Sequence, residues 1–234
     1  MKSKKSGKHD ERCYLCGIPV RSYALRSGER PSADFRTRDH VPPSGLFLPP
    51  KPTNLIAVPC CFRCNNQHSG FDERLRIAAT TPFDRNEVGQ KILEQEVFGG
   101  TMAKGRQMRF FESLLASMQT LADHPGLARA RIPAHEFHQG MIRITKGLLF
   151  ALHPRFDYYQ SNFDVIDIHP KPFDRQLRLI ATLKQAEHFE CGQRAFQCWR
   201  HVDETRDAGV WMLAFYECFG FFVVHSNGSG MNYP

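Results

Sequence analysis

No stretch of the chain approaches the ~18 consecutive apolar residues that a bilayer-crossing helix needs, so a helical membrane span is not expected. The basic amino terminus, Met1-Lys2-Ser3-Lys4-Lys5-Ser6-Gly7-Lys8, has no apolar segment behind it and lacks the form of a secretory signal. No internal repeat is present. Residues 81–234 lack any charge excess, with 17 basic against 17 acidic residues. The chain is not short of apolar material, however. At 41% hydrophobic and 12% aromatic residues over 234 positions, it has enough to fold throughout, as one or two domains with a real core.

The eight cysteines carry the first positive signal. Cys13-Tyr14-Leu15-Cys16 and Cys61-Phe62-Arg63-Cys64 are two Cys-x-x-Cys knuckles with 44 residues between them. Each knuckle can turn two sulfurs toward one ion, and two knuckles complete a tetrahedral zinc site with no open position. Such a site builds structure and cannot activate water. Cys60 competes with Cys61 for the role, but the two-residue spacer of Cys61 and Cys64 makes the tighter knuckle, which leaves Cys60 to pack as a small apolar residue. Cysteines in metal-knuckle spacing fit a reducing cytoplasm better than a disulfide scaffold. The spacer between the knuckles is longer than in a simple zinc ribbon, and it contains Asp39-His40-Val41-Pro42-Pro43 and Asn54-Leu55.

Taken together, Asp39-His40-Val41-Pro42-Pro43, Asn54-Leu55 and Cys61-x-x-Cys64-Asn65 resemble the HNH endonucleases, the ββα-metal nucleases, in their zinc-stapled four-cysteine form. The resemblance covers about the first 80 residues. It implies a strand, loop, strand, helix module in which His40 is the general base, Asn54 orients it, and Asp39 and Asn65 hold a catalytic divalent cation. His68, one turn beyond Asn65, is a weaker candidate ligand. The family's last position is often His, and here it is Asn65. The implied products carry 3′-hydroxyl and 5′-phosphate ends.

The residue types suit the task. A neutral imidazole, with an ordinary pKa of about 6.5, can take a proton from water at working pH. A cation held by oxygen ligands would stabilise charge developing on the phosphate, and such ligands suit Mg²⁺ or Mn²⁺ better than zinc. The expected metals are therefore structural Zn²⁺ and catalytic Mg²⁺ or Mn²⁺.

The charge is placed to match. Residues 1–80 hold 14 basic against 7 acidic residues, so the whole net charge of +7 lies on the candidate module. Residues 1–12 read as a basic flexible arm and residues 13–80 as the nuclease module. Within that module Arg36, Arg38 and Arg63 are candidate nucleic-acid contacts. Residues 34–40 and 54–59 read as strands, and residues 61–79 as a helix that Ser69-Gly70 could kink or shorten. Residues 81–234 read as an α+β accessory domain: helices over 82–98, 103–122 and 141–152, the last with Arg143 and Lys146 facing outward, then antiparallel strands at 163–168, 177–183, 210–216 and 221–224. The last two strands are expected to turn around Gly220, and the tail from Ser226 to be loose. His188, Cys191, Cys198 and His201 have the makings of a second metal site, but their six-residue gap is short for one.

The expected function is metal-dependent hydrolysis of nucleic acid, with double-stranded DNA as substrate and a partner protein or second copy engaging the C-terminal domain. Two alternatives stand beside it: a zinc-stabilised nucleic-acid-binding module without catalysis, and a defence or toxin nuclease held silent by a partner. In each, a basic patch on phosphates releases counterions. Nucleic-acid binding measured across a salt series should therefore weaken steeply; binding indifferent to salt would contradict it.

Overall fold

In β1, Arg36–Val41, side chains alternate, so Arg36, Arg38 and His40 share one face while Thr37, Asp39 and Val41 share the other. The computed structural model, which describes residues 11–101, 105–121, 124–168 and 173–227, pairs this strand antiparallel with β2, Ile56–Cys61. The register sets His40 opposite Ala57, Asp39 opposite Val58 and Arg36 opposite Cys61. Pro42 and Pro43 follow β1 directly, as residues unable to donate to a ladder should. Helix α1, Phe62–Thr80, starts where β2 ends. Cys61 caps it, its sulfur accepting from the Cys64 amide at 3.4 Å. Ser69 and Gly70 lie within α1 and do not interrupt it.

Beyond the hairpin and helix come α2, Glu87–Ile92, capped by the Asn86 side chain, a π-helical continuation over Leu93–Thr101, and α3, Gly105–Ala116. A short hairpin of β3, Gln119–Leu121, and β4, His124–Arg129, follows, so residues 119–121 are strand where a continuous helix was expected. Helix α4 runs over Ala134–Leu152, starting seven residues earlier than its apolar periodicity suggested. Five strands then form one antiparallel sheet in the order β5-β9-β8-β7-β6. They are β5 Asn162–Asp167, β6 Glu187–Cys191, β7 Phe196–Asp203, β8 Ala208–Phe215 and β9 Phe219–Ser226. The α+β class holds. Residues 1–10 of the expected arm and 228–234 of the tail lie outside the described residues.

Two further expectations in this half are corrected. Residues 177–183 were read as a strand, yet Asp174–Thr182 is a helix, α5, with Asp174 in its first turn. Leu179 and Gln176 point inward while Leu177 and Ile180 are exposed, a three-and-four spacing that a short window confuses with loose alternation. The β8–β9 turn falls at Tyr216 and Glu217, both with positive φ, and Gly220 lies inside β9. A Cβ at Gly220 would stand 2.8 Å from the Leu213 carbonyl oxygen; this glycine serves a close strand approach.

Buried residues from the hairpin module (Tyr14, Val41, Leu75) and from the remainder (Met141, Trp211, Phe215) belong to one hydrophobic cluster. Helix α4 makes the junction. Gly140, Arg143 and Gly147 recur at three and four residues on one side of it. A Cβ at Gly140 would lie 1.9 Å from the Phe71 ring, and one at Gly147 2.4 Å from Val41. The two glycines thus bring the α4 backbone down onto α1 and β1, on either side of Arg143. The exchange Gly140→Ala should cost about 1–3 kcal/mol through overpacking, read by denaturant unfolding; an unchanged or higher stability would refute the close contact.

Candidate functional site

The first knuckle closes on itself through backbone bonds. The Gly17 amide donates to the Cys13 carbonyl at 2.9 Å, and the Cys13 amide to that of Ile18 at 2.9 Å. Gly17 takes φ +73°, the left-handed turn that a glycine accepts without strain. The second knuckle spans the β2–α1 junction. The four sulfurs of Cys13, Cys16, Cys61 and Cys64 lie within 4.8 Å of one another, with Cys16 and Cys61 at 3.8 Å. Sulfurs bound tetrahedrally at about 2.3 Å from zinc are about 3.8 Å apart, so the set fits a metal ion such as zinc. Among the described residues it is the sole cluster of histidine, cysteine and acidic side chains that could hold one.

Cys60 points to the opposite side of β2 from Cys61, buried, with its sulfur 3.9 Å from that of Cys13. This thiol contact lowers the Cys13 pKa to about 4. Arg63, exposed beside the cluster, has its pKa raised by Cys16 and the neighbouring sulfurs, and so offsets the negative charge of a thiolate set. His188 instead stacks on Trp199 at 4.9 Å across the β6–β7 hairpin.

Asp39 is only 5% exposed. Both its oxygens accept from Arg143, Oδ1 from Nη2 at 2.7 Å and Oδ2 from Nε at 3.1 Å, and the Tyr14 hydroxyl donates to Oδ2 at 2.5 Å. The same guanidinium reaches Asp72 on α1, with Nη1 to Oδ1 at 2.6 Å. Arg143 is 3% exposed, and these carboxylates raise its pKa against the opposing effect of burial. Burial pushes the Asp72 carboxyl up, opposed by Arg143, and burial likewise raises Tyr14, helped by the Asp39 charge.

Asn65, His68, Asp72 and Leu75 recur along one side of α1. His68 is partly buried, and burial together with Arg143 lowers its pKa, favouring the neutral imidazole. Asn65 makes no side-chain hydrogen bond among the described residues. The donor set at Asp39 therefore does not fit a resident Mg²⁺ or Mn²⁺ while Arg143 holds both oxygens: a cation would have to displace a bidentate guanidinium.

The other expected residues divide. His40 is partly exposed on the face of β1 opposite Asp39, and its imidazole makes no side-chain hydrogen bond among the described residues. Arg38 beside it is exposed and unpaired on the same terms. Arg36 pairs with Glu11, its Nη2 to Oε1 at 3.1 Å. Asn54 is not joined to His40. Its amide donates to the Glu190 carbonyl at 2.8 Å and accepts from the Cys191 thiol at 3.4 Å, tying the inter-strand loop to β6. Sequence reasoning missed Tyr14 and Asp72, and its expectation that Arg143 faces outward is corrected: the side chain is buried against Asp39 and Asp72. A cationic residue on the buried face of an apolar helix, between two glycines, was the signal available for Arg143.

No family model matches the chain, and neither a curated protein nor a solved structure matches it. No helix among the described residues is long and apolar enough to cross a membrane.

Removing one member of a buried ion cluster strands the others, at about 3–5 kcal/mol. Arg143→Met should therefore lower unfolding stability by that amount, and adding Asp39→Asn and Asp72→Asn should recover part of it. A neutral effect of Arg143→Met in urea unfolding would show that the cluster does not form.

Proposed function

We propose that residues 13–80 form a phosphodiesterase centre of the HNH, or ββα-metal, kind, acting on nucleic acid. One observation carries this reading: a cysteine-clamped antiparallel hairpin, followed at once by a helix, presents His40 on an open face in line with Arg36 and Arg38. His40 takes a proton from water, whose oxygen attacks phosphorus. The P–O3′ bond breaks, the 3′-oxygen leaves and is protonated from solvent, and the imidazolium returns its proton to water. Arg38 lies beside the charge that develops on the phosphate oxygens. Asp39, held by Arg143, fixes the strand on which His40 stands. This route uses no divalent cation, because Arg143 holds both Asp39 oxygens; Mg²⁺ and Mn²⁺ are conditions for the test to vary.

A second reading is favoured by that engagement. With both Asp39 oxygens on Arg143, the module would bind nucleic acid through its basic face without cutting it. Plasmid DNA and a structured RNA, incubated with the full chain in Mg²⁺, Mn²⁺ or chelator, separate the two. Cleavage should occur and fall by about 10²–10⁴-fold in His40→Ala with binding retained. Binding without cleavage in every condition, or full cleavage by His40→Ala, would end the catalytic assignment.

A further inference from the structure

Where α4 ends and the chain turns toward β5, a cavity of ≈ 430 Å³ opens against the first knuckle. Its walls include Phe150, His153, Phe156, Tyr158 and Tyr159, with Arg12 at the amino-terminal edge. The rings are fixed. The Tyr158 hydroxyl donates to the Tyr14 carbonyl at 2.8 Å and the Tyr159 hydroxyl to that of Cys13 at 3.1 Å. His153 is held at both nitrogens, with Arg200 Nε 3.3 Å from Nε2 and Glu204 3.2 Å from Nδ1. Glu11, at the rim, pairs with Arg36. Among the described residues this leaves one uncommitted charged group at the cavity, the exposed Arg12 guanidinium, near enough to Tyr159 to offset in part the burial that raises that hydroxyl's pKa.

Phe156 and Tyr158 are buried behind the cavity, so the half-buried rings of Phe150 and Tyr159 offer its open aromatic surface. With the Tyr159 tip already satisfied and one free cation at the edge, they suit a flat ring that carries an anion. Such walls grip by stacking and read no hydrogen-bonding edge, which makes them tolerant of sequence. The Glu11–Arg36 pair links the rim to the strand that carries His40. Arg36 and His40 are four residues apart on one face, about 13 Å at strand spacing, the span of a few nucleotides of an extended strand.

We propose that this cavity receives an unpaired nucleobase of a nucleic-acid strand, with Arg12 on its adjoining phosphate, so that the substrate class is single-stranded or locally unpaired nucleic acid. A base inside a duplex is stacked and paired and could enter only after extrusion, at a cost of a few kcal/mol. The proposal deepens the nuclease reading and rests on the module binding nucleic acid, but it does not require cleavage.

The test therefore uses the full chain carrying His40→Ala and reads binding. A 12-nucleotide strand with one 2-aminopurine should bind at least about tenfold tighter than its duplex, and its fluorescence should be quenched by stacking. Phe150→Leu should weaken the quench while circular dichroism stays unchanged. The surface exchange Arg12→Ala should reduce single-strand affinity by about tenfold and leave duplex affinity unaltered. Equal affinity for strand and duplex, an unquenched probe, or wild-type binding by both variants would overturn the proposal. Equally tight, quenched binding of free 2-aminopurine ribonucleotide would overturn it too, by assigning the cavity to a mononucleotide. Cleavage by the unmutated chain, measured separately, leaves each of these outcomes interpretable.

Discussion

Four sulfurs gathered at one point constrain everything else at the amino-terminal end. Cys13 and Cys16 sit on a loop with almost no regular structure of its own, held to the β2–α1 junction where Cys61 and Cys64 lie. Such a loop has little backbone ladder of its own, and a metal ion held by the four sulfurs would add folding energy directly to the burial of Cys13 and Tyr14. Once the loop is fixed, Tyr14 is carried into the core, where its hydroxyl meets Asp39. The carbonyls of Cys13 and Tyr14 are then placed to receive Tyr159 and Tyr158. The thiol cluster, the buried charges and the aromatic cavity are linked in series.

Arg143 extends this closure across the molecule. It comes from α4, 104 residues beyond Asp39 in the chain, and reaches the hairpin because Gly140 and Gly147 let the helix backbone approach. Two carboxylates and a tyrosine hydroxyl around one guanidinium are a costly arrangement to bury, tolerable because every guanidinium nitrogen finds an acceptor. Asp39 and His40 are neighbours in sequence but face opposite sides of β1, so one binds inward while the other stays open. That division explains how a strand can carry both a buried structural carboxylate and a partly exposed imidazole.

The amino-terminal third was legible in the sequence because its signals are local. Cys-x-x-Cys spacing, prolines after His40 and a cysteine-led helix each announce themselves within a few residues, and both strands and α1 lie within two residues of where they were expected. The choice of Cys61 over Cys60 also follows from strand alternation, which turns adjacent cysteines to opposite sides. What could not be read was long-range. Nothing near Asp39 says that its partner is Arg143, and nothing near Asn54 says that its amide will cap contacts to Glu190 and Cys191. In the second half, Phe137 alone among polar neighbours hid the first turns of α4, and the apolar residues of α5 fit either period. Gly220 looked like a turn residue and is instead a point of close approach.

Zinc K-edge absorption on the purified full chain addresses the closure most directly. One zinc per chain with four sulfur neighbours at about 2.3 Å is the result this account requires. A shell containing nitrogen or oxygen, or a well-folded chain that holds no metal, would contradict it.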